Sequence, residues 1–294
     1  MDYLRWEDRP EPLRDPVMIA AFGGWNDAAA AASGAVVYVG EQFGAHRVAS
    51  LDPEEFYDFQ ATRPLIDLSS PQTSSIMWPE VELLVARPPD GPHDLLLVAG
   101  AEPSMRWRSF ADTLLDAAAS LGVKRVVLLG SLLADVVHSH PVRLTGMASD
   151  PSFISGLGFR DPSYAGPTGI VGVLHHFASQ RGLETVSVWA PVSHYAAGLT
   201  NSKGSLALVR ALDTVAGVSV DVAELEEAAA AFEGQVARAV EAEPRLRQLV
   251  EQLEDAAGVD DEAPQRREEP LPTGDELAAE LERFLRERDE PDQQ

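Results

Sequence analysis

The sequence predicts an α/β fold: a mostly parallel central sheet covered by helices on both faces, followed by a C-terminal helical appendage. Three observations predict it. The runs Val17–Phe22, Leu95–Gly100 and Val126–Gly130 are apolar at nearly every position, the signature of strands with neither face in water. Segments of helical period lie between them, so strand and helix alternate. From Asp221 onward the period is helical throughout and the charge turns strongly acidic.

In chain order, the Val17–Phe22 strand runs into Gly23-Gly24 and an alanine-rich helix over 28–43. His46–Ser50 forms a short strand, and Phe56–Gln60 leads into a loop or sheet edge around Thr62-Arg63-Pro64. Val81–Val85 is a strand ended by a Pro/Gly turn, and Leu95–Gly100 is a central strand. Trp107–Leu121 places Phe110, Leu114, Leu115 and Ala118 at helical spacing, with Gly122 at the helix end. After the strand at 126–130, residues 135–167 form a polar stretch rich in Gly, Ser and Pro. It is too long for an ordinary connection and therefore a candidate functional loop. A helix over 169–180, a strand over 186–190 and a helix over 206–212 complete the body, assigned to residues 1–216.

The remaining residues, 217–294, form an acidic helical segment. They include stripes at Leu225, Ala229, Phe232, Val236 and Val240, then at Leu246, Leu249 and Leu253. A charged, proline-containing linker is expected near 258–272. Thr273 and Glu276 have the spacing of a capping box that opens a last helix near 274–290.

Composition narrows the function. The 47 acidic residues against 23 basic give a net charge of -24, which disfavours nucleic acid and anionic membranes as partners. Residues 221–294 carry 23 acidic and 8 basic side chains, so -15 of that charge lies in the tail. There is no cysteine, which excludes disulfides, thiolate nucleophiles and cysteine-bound metals. The start of the chain lacks the pattern of a secretion signal and no apolar run reaches membrane-spanning length, so a cytoplasmic protein is expected.

Chemistry in an α/β sheet gathers at the carboxyl ends of its strands. Here those ends hold Trp25, Asn26 and Asp27; Glu102, followed by Arg106 and Arg108; Ser131; and His194. The Gly23-Gly24 turn lacks a dinucleotide fingerprint and the lysine and hydroxyl of a triphosphate loop, and Asp27 repels phosphate. Asn26 or Asp27 caps the following helix, or Trp25 and Asn26 face a ligand or partner. Glu102 with Arg106 and Arg108 either grips a polar ligand or forms a salt-bridged lid. His138 and His140 could join Asp135 at a metal only in an extended segment, and no further ligand falls in register, so no metal or other cofactor is expected. His194 is well placed for a general base, but no partner carboxylate is evident. No serine sits in a nucleophile elbow.

Several of these stretches, taken in order, resemble the proteasome assembly chaperone 2 family in its actinobacterial-type branch. They are Ala21-Phe22-Gly23-Gly24-Trp25-Asn26-Asp27, Phe56–Pro64, Gly100-Ala101-Glu102-Pro103 with Trp107–Phe110, Leu121–Val126, Asp135–Pro141, Gly166–Ile170 and Val188–Tyr195. The likeness spans about 16–212 and covers the tail poorly. It implies a three-layer phosphorylase/hydrolase-like fold of the nucleoside-phosphorylase type, self-association as a trimer, proteasome subunits as partners, and action by binding without a reaction. Candidate contact residues are Trp25, Asn26, Asp27, Glu102, Arg106, Arg108, His138, Thr168 and His194. Two features depart from the family. Val137, Ser139 and His140 stand where relatives have Pro, Thr and Arg, and the sequence ends Asp289–Gln294 without the hydrophobic-tyrosine tail that some relatives dock with. The alternative reading is an enzyme or small-molecule binder with a pocket at the same strand ends.

Overall fold

The computed structural model describes residues 3–70, 73–160 and 164–260. One compact unit covers Met1–Asp255, and the second, Ala256–Gln294, is described only through Asp260. The helix expected near 274–290 and the linker from 261 onward lie outside the described residues.

The strands are β1 (Leu4–Trp6), β2 (Val17–Gly23), β3 (His46–Leu51), β4 (Leu65–Ser70), β5 (Thr73–Met77), β6 (Val81–Ala86), β7 (Leu95–Ala101), β8 (Arg125–Ala134), β9 (Thr145–Ala148) and β10 (Glu184–Ser193). The helices are α1 (Ala31–Gln42), α2 (Pro53–Phe56), α3 (Trp107–Ser120), α4 (Ile170–Gln180), α5 (Ser202–Ala216), α6 (Ala223–Ala242) and α7 (Pro244–Asp260).

Eight strands form one sheet in the order β1-β3-β6-β7-β2-β8-β10-β9. Only its centre is parallel: β7, β2, β8 and β10 run together, while β1, β3 and β6 on one flank and β9 on the other pair antiparallel. The sheet is thus mixed, with a parallel heart where the sequence is most continuously apolar. Alternation along those strands divides the interior in two. Ile19, Leu97, Leu129 and Val188 face α1 and α5, whereas Met18, Phe22, Leu96 and Leu128 face α3 and α4. Phe110 meets both Phe22 and Phe56 edge to face beneath α3.

Within the parallel heart, β2 is flanked by the later strands β7 and β8, so chain order reverses between β2 and β8. That is the position where open α/β sheets form a crevice. Loops after β2, β7, β8 and β10 converge there.

The long 135–167 stretch is not wholly irregular: it contains β9 and a short turn of helix at Pro151–Phe153. The stripe Leu225, Ala229, Phe232, Val236 and Val240 on α6 is buried. Its first two residues join the α1/α5 interior, while the other three pack with Val137, Ala196 and Val250 in a separate cluster. After the loop or edge expected around Thr62-Arg63-Pro64, β4 and β5, which the sequence reading did not identify, pair as a two-stranded ribbon with Leu65 opposite Met77 and Ile66 opposite Ile76.

Candidate functional site

The crevice between β2 and β8 is filled by the chain itself. Past β2, Gly24 takes a φ of +137°, a conformation that frees the next residues to turn back over the sheet. Asn26 and Asp27 are buried and Trp25 between them and Gly24 is 63% exposed. The Asn26 carbonyl accepts a bond from the Ser131 amide at 2.8 Å, and Asp27 bridges to Ser131. These contacts close the gap where strand order reverses.

Asp27 also caps α1 from outside its first turn. Its Oδ1 accepts from the amides of Ala32 (2.8 Å) and Ser33 (3.1 Å). Ala29 and Ala30, both at φ 53°, make the left-handed steps that separate this cap from the helix. Of the two caps considered for this turn, the aspartate is the one that reaches the helix.

Glu102 reaches inward rather than toward solvent. Its amide donates to the Gly23 carbonyl at 2.8 Å, and its Oε1 accepts from Asn26 Nδ2 at 2.5 Å and from the Ile170 amide at 2.7 Å. The carboxylate therefore sits on the amino end of α4, where the helix dipole favours negative charge and a free anion would otherwise bind. The Asn26 amide lies flat against Gly169: a Cβ there would come within 2.1 Å of Nδ2. Asn26 Oδ1 is buried without a hydrogen-bond partner, the one strand-end side-chain acceptor so placed among the described residues.

The other expected site residues are spread around this knot. Arg106 opens α3 and pairs with Glu55 rather than with Glu102. Arg108 and Thr168 are exposed, and the Thr168 hydroxyl sits over the first turn of α4, near Gly172.

His138 and His194 belong to a second cluster, after β8 and β10. The Tyr195 hydroxyl accepts from the His138 amide at 2.8 Å and lies 2.8 Å from His138 Nδ1. Lys203 donates to the His138 carbonyl at 2.6 Å and pairs with Glu233 of α6 at 2.9 Å. The carboxylate partner of His194 is Asp135, 3.2 Å from Nδ1, so the partner that the sequence does not reveal lies 59 positions earlier in the chain by number. Asp135 is thereby drawn to His194 and not to the two histidines near it in sequence. Among the described residues no group of three His, Cys, Asp or Glu is arranged to hold a metal.

Burial pushes the His138 imidazole below its ordinary 6.5, with the nearby Lys203 and His140 acting in the same direction and Glu233 and Glu254 opposing. Burial likewise lowers His175, whose Nδ1 is 2.7 Å from the Ser187 hydroxyl. Burial disfavours the charged form of both rings, so below pH 6.5 the unfolded chain takes up protons more readily than the folded one. Stability is therefore full above that pH and falls as pH drops through it. We expect the unfolding midpoint in urea to decrease between pH 7 and 5.5, and His175→Gln to flatten that decrease; an unchanged slope in the variant would remove His175 as a source.

Four large apolar side chains near these strand ends are exposed, two of them, Leu132 and Leu133, on opposite faces of the sheet. Trp25 and Leu132 flank the Asn26–Ser131 hydrogen bond, Leu133 follows, and Met105 rises from the loop after Glu102; all four are exposed. Sequence reasoning missed Met105, Leu132 and Leu133. The signal for the leucines is that the apolar run continues beyond Gly130-Ser131, past the point where β2 stops pairing with β8.

The PAC2 family model matches residues 21–240. Among solved structures, a PAC2 family protein from Streptomyces avermitilis MA is 44% identical, with a TM-score of 0.72, covering 76% of this chain and 95% of that one. A proteasome-assembly chaperone homologue from Mycobacterium tuberculosis is 36% identical, with a TM-score of 0.74, covering 80% and 99%. PbaB of Pyrococcus furiosus, an archaeal proteasome activator, shares the fold at 19% identity and a TM-score of 0.64, covering 82% and 100%. No curated protein sequence matches the chain.

Proposed function

The chain belongs to the PAC2 family, and from that premise we propose that it is a noncatalytic assembly factor that self-associates and takes proteasome subunits as its partners. The observation that carries this reading is the state of the switch-point crevice. Where an enzyme of this layout needs a hollow lined by free polar groups, the Asp27 and Glu102 carboxylates and the Asn26 carbonyl and Nδ2 bond to the Ser131, Ala32, Ser33 and Ile170 amides and to one another. What the crevice offers outward is apolar: Trp25, Met105, Leu132 and Leu133. Exposed large apolar side chains around strand ends whose polar groups bond to the chain itself suit a protein partner better than a small polar ligand.

In this reading the body is a member of the nucleoside-phosphorylase-like architecture whose ligand site has been closed, supported by the parallel heart with helices on both faces. Residues 217–294 are assigned from their sequence to an acidic C-terminal segment, of which α6, within the described residues, packs on the body, and the protein works in the cytoplasm, in keeping with its lack of cysteine. No described helix is long and apolar enough to cross a membrane.

Incubation with separately purified proteasome subunits tests the reading. A stable complex, or a changed rate of ring assembly, is the expected result; neither, under conditions where the subunits assemble by themselves, overturns it. One observation favours a small-molecule site instead, the partnerless Asn26 Oδ1. Stabilisation by a nucleoside, sugar or phosphate in a thermal-shift screen, lost in Asn26→Ala, would establish that alternative.

A further inference from the structure

The main sheet ends on one side at β1, and among the described residues no strand pairs with the outer side of β1. The register decides what that edge presents. The Asp52 amide donates to the Tyr3 carbonyl and the Glu7 amide to the Val48 carbonyl, both at 2.9 Å, so Tyr3, Arg5 and Glu7 are the positions whose backbone groups face β3 in the antiparallel ladder. Leu4 and Trp6, between them, turn their backbone N–H and C=O groups outward. Their side chains pack with the interior beneath α3. Beside them lies a groove of about 290 Å³, walled by Leu4 and Trp6 on one side and by Thr113, Ala117 and Ser120 of α3 on the other. Arg9 also lines it, its guanidinium 5.5 Å from the centre of the Trp6 ring.

An unpaired edge supplies main-chain hydrogen bonds to an added strand, and a pocket next to it receives one of that strand's side chains. We propose that β1 is a docking edge for an extended segment of a partner protein that alternates basic and apolar residues. The segment pairs with Leu4 and Trp6 and sets an apolar side chain into the groove against α3.

Charge selects this occupant. Near the edge Arg5 is matched by Asp52 and Arg106 by Glu55, while Arg47 serves Glu7, Glu80 and Glu82 together, and Arg181 serves both Asp112 and Asp116. Asp8 and Glu54 are exposed beside them. Arg9 is the opposing charge, held over Trp6. Carboxylates therefore outnumber guanidiniums around the edge, and lysine or arginine side chains on an added strand offset the surplus. A second copy is the wrong occupant, because β1 against β1 would bring the same surplus together between chains of net charge -24. β1 also lies ahead of residues 21–240, which carry the family match, so this inference does not depend on the proposed function.

The test titrates the full chain into a fluorescently labelled peptide, Lys-Val-Lys-Leu-Lys-Val-Lys, and follows anisotropy. Saturable binding is expected, weakened roughly tenfold or more by Leu4→Pro and by Thr113→Arg. Leu4→Pro removes an outward N–H and no bond to β3, a change that edge strands accommodate. Thr113→Arg fills the groove from α3 with bulk and positive charge and leaves β1 untouched, so it decides the matter even if Leu4→Pro disturbs the fold by circular dichroism. A peptide of the same charge with proline for its central leucine is expected to bind as weakly as the variants, and so is one with glutamate for lysine. Absence of binding to the unaltered chain would overturn the proposal. So would binding that survives Thr113→Arg or the proline peptide, which is general attraction to an acidic protein, and so would equal binding of the glutamate peptide. Loss of oligomer mass on Leu4→Pro in sedimentation, with no peptide bound by the unaltered chain, would identify a second copy at the edge and overturn it likewise.

Discussion

Gly100→Ala is expected to destabilise the protein by about 3–5 kcal/mol, near the upper end for a single substitution. Gly100 is paired on both sides within the sheet, with Phe22 on β2 and with Val81 on β6. A Cβ at this position would lie 2.2 Å from the Glu80 carbonyl oxygen and 2.7 Å from Val81 Cα. Both obstacles are backbone atoms, so no side-chain rotation relieves them, and the antiparallel flank must move away from the parallel heart. Gly23→Ala provides the contrast. Its nearest neighbours would be 3.8 Å and 3.9 Å away, an ordinary contact, and a change of within about 1 kcal/mol is expected. Urea unfolding of the two variants measures both; similar midpoints for them would contradict the close approach of β6 to β7 at Gly100.

Glu102→Ala is expected to cost about 2–4 kcal/mol, combining the loss of a helix cap with two donors left in a poorly hydrated place. The carboxylate serves the Ile170 amide and Asn26 Nδ2 together. With it gone, the Asn26 side chain, already partnerless at Oδ1, loses its only bond. Glu102→Gln keeps a carbonyl acceptor and sheds only the charge, so about 1 kcal/mol is expected for it. That ordering distinguishes a structural carboxylate from a ligand contact. Should both variants unfold at the wild-type midpoint, Glu102 would return to the list of groups free to hold a ligand, and the filled crevice would lose its keystone.

Much of the architecture can be read without coordinates because it follows from local pattern. Val17–Phe22, Leu95–Val98 and Val126–Leu129 are apolar on consecutive positions, so each must feed two opposite interiors, and a layer of helices on each face follows. The spacing of Leu225, Ala229, Phe232, Val236 and Val240 similarly defines one buried face of α6. Asp27 could be identified as a possible cap because it precedes an alanine helix, and capping chemistry is local. The mixed flanks of the sheet were less legible. Strand direction depends on which neighbour a strand finds, and β3 and β6 carry no mark of it.

The site itself was decided by folding. Asn26 meets Glu102 across 76 positions and Glu102 meets the Ile170 amide across 68, so no motif could announce that this carboxylate serves the chain's own helix. The same holds for Asp135, which lies close to two histidines in sequence and pairs with a third, His194, on the loop after β10. Hydrophobicity identifies Trp25, Leu132, Ile66 and Ile76 as residues that avoid water, a property each carries alone. Whether they are buried depends on which surfaces the rest of the chain brings to them, and among the described residues these four stay exposed. Composition and periodicity thus determined the layers, and long-range geometry determined which polar groups at the strand ends bond to one another.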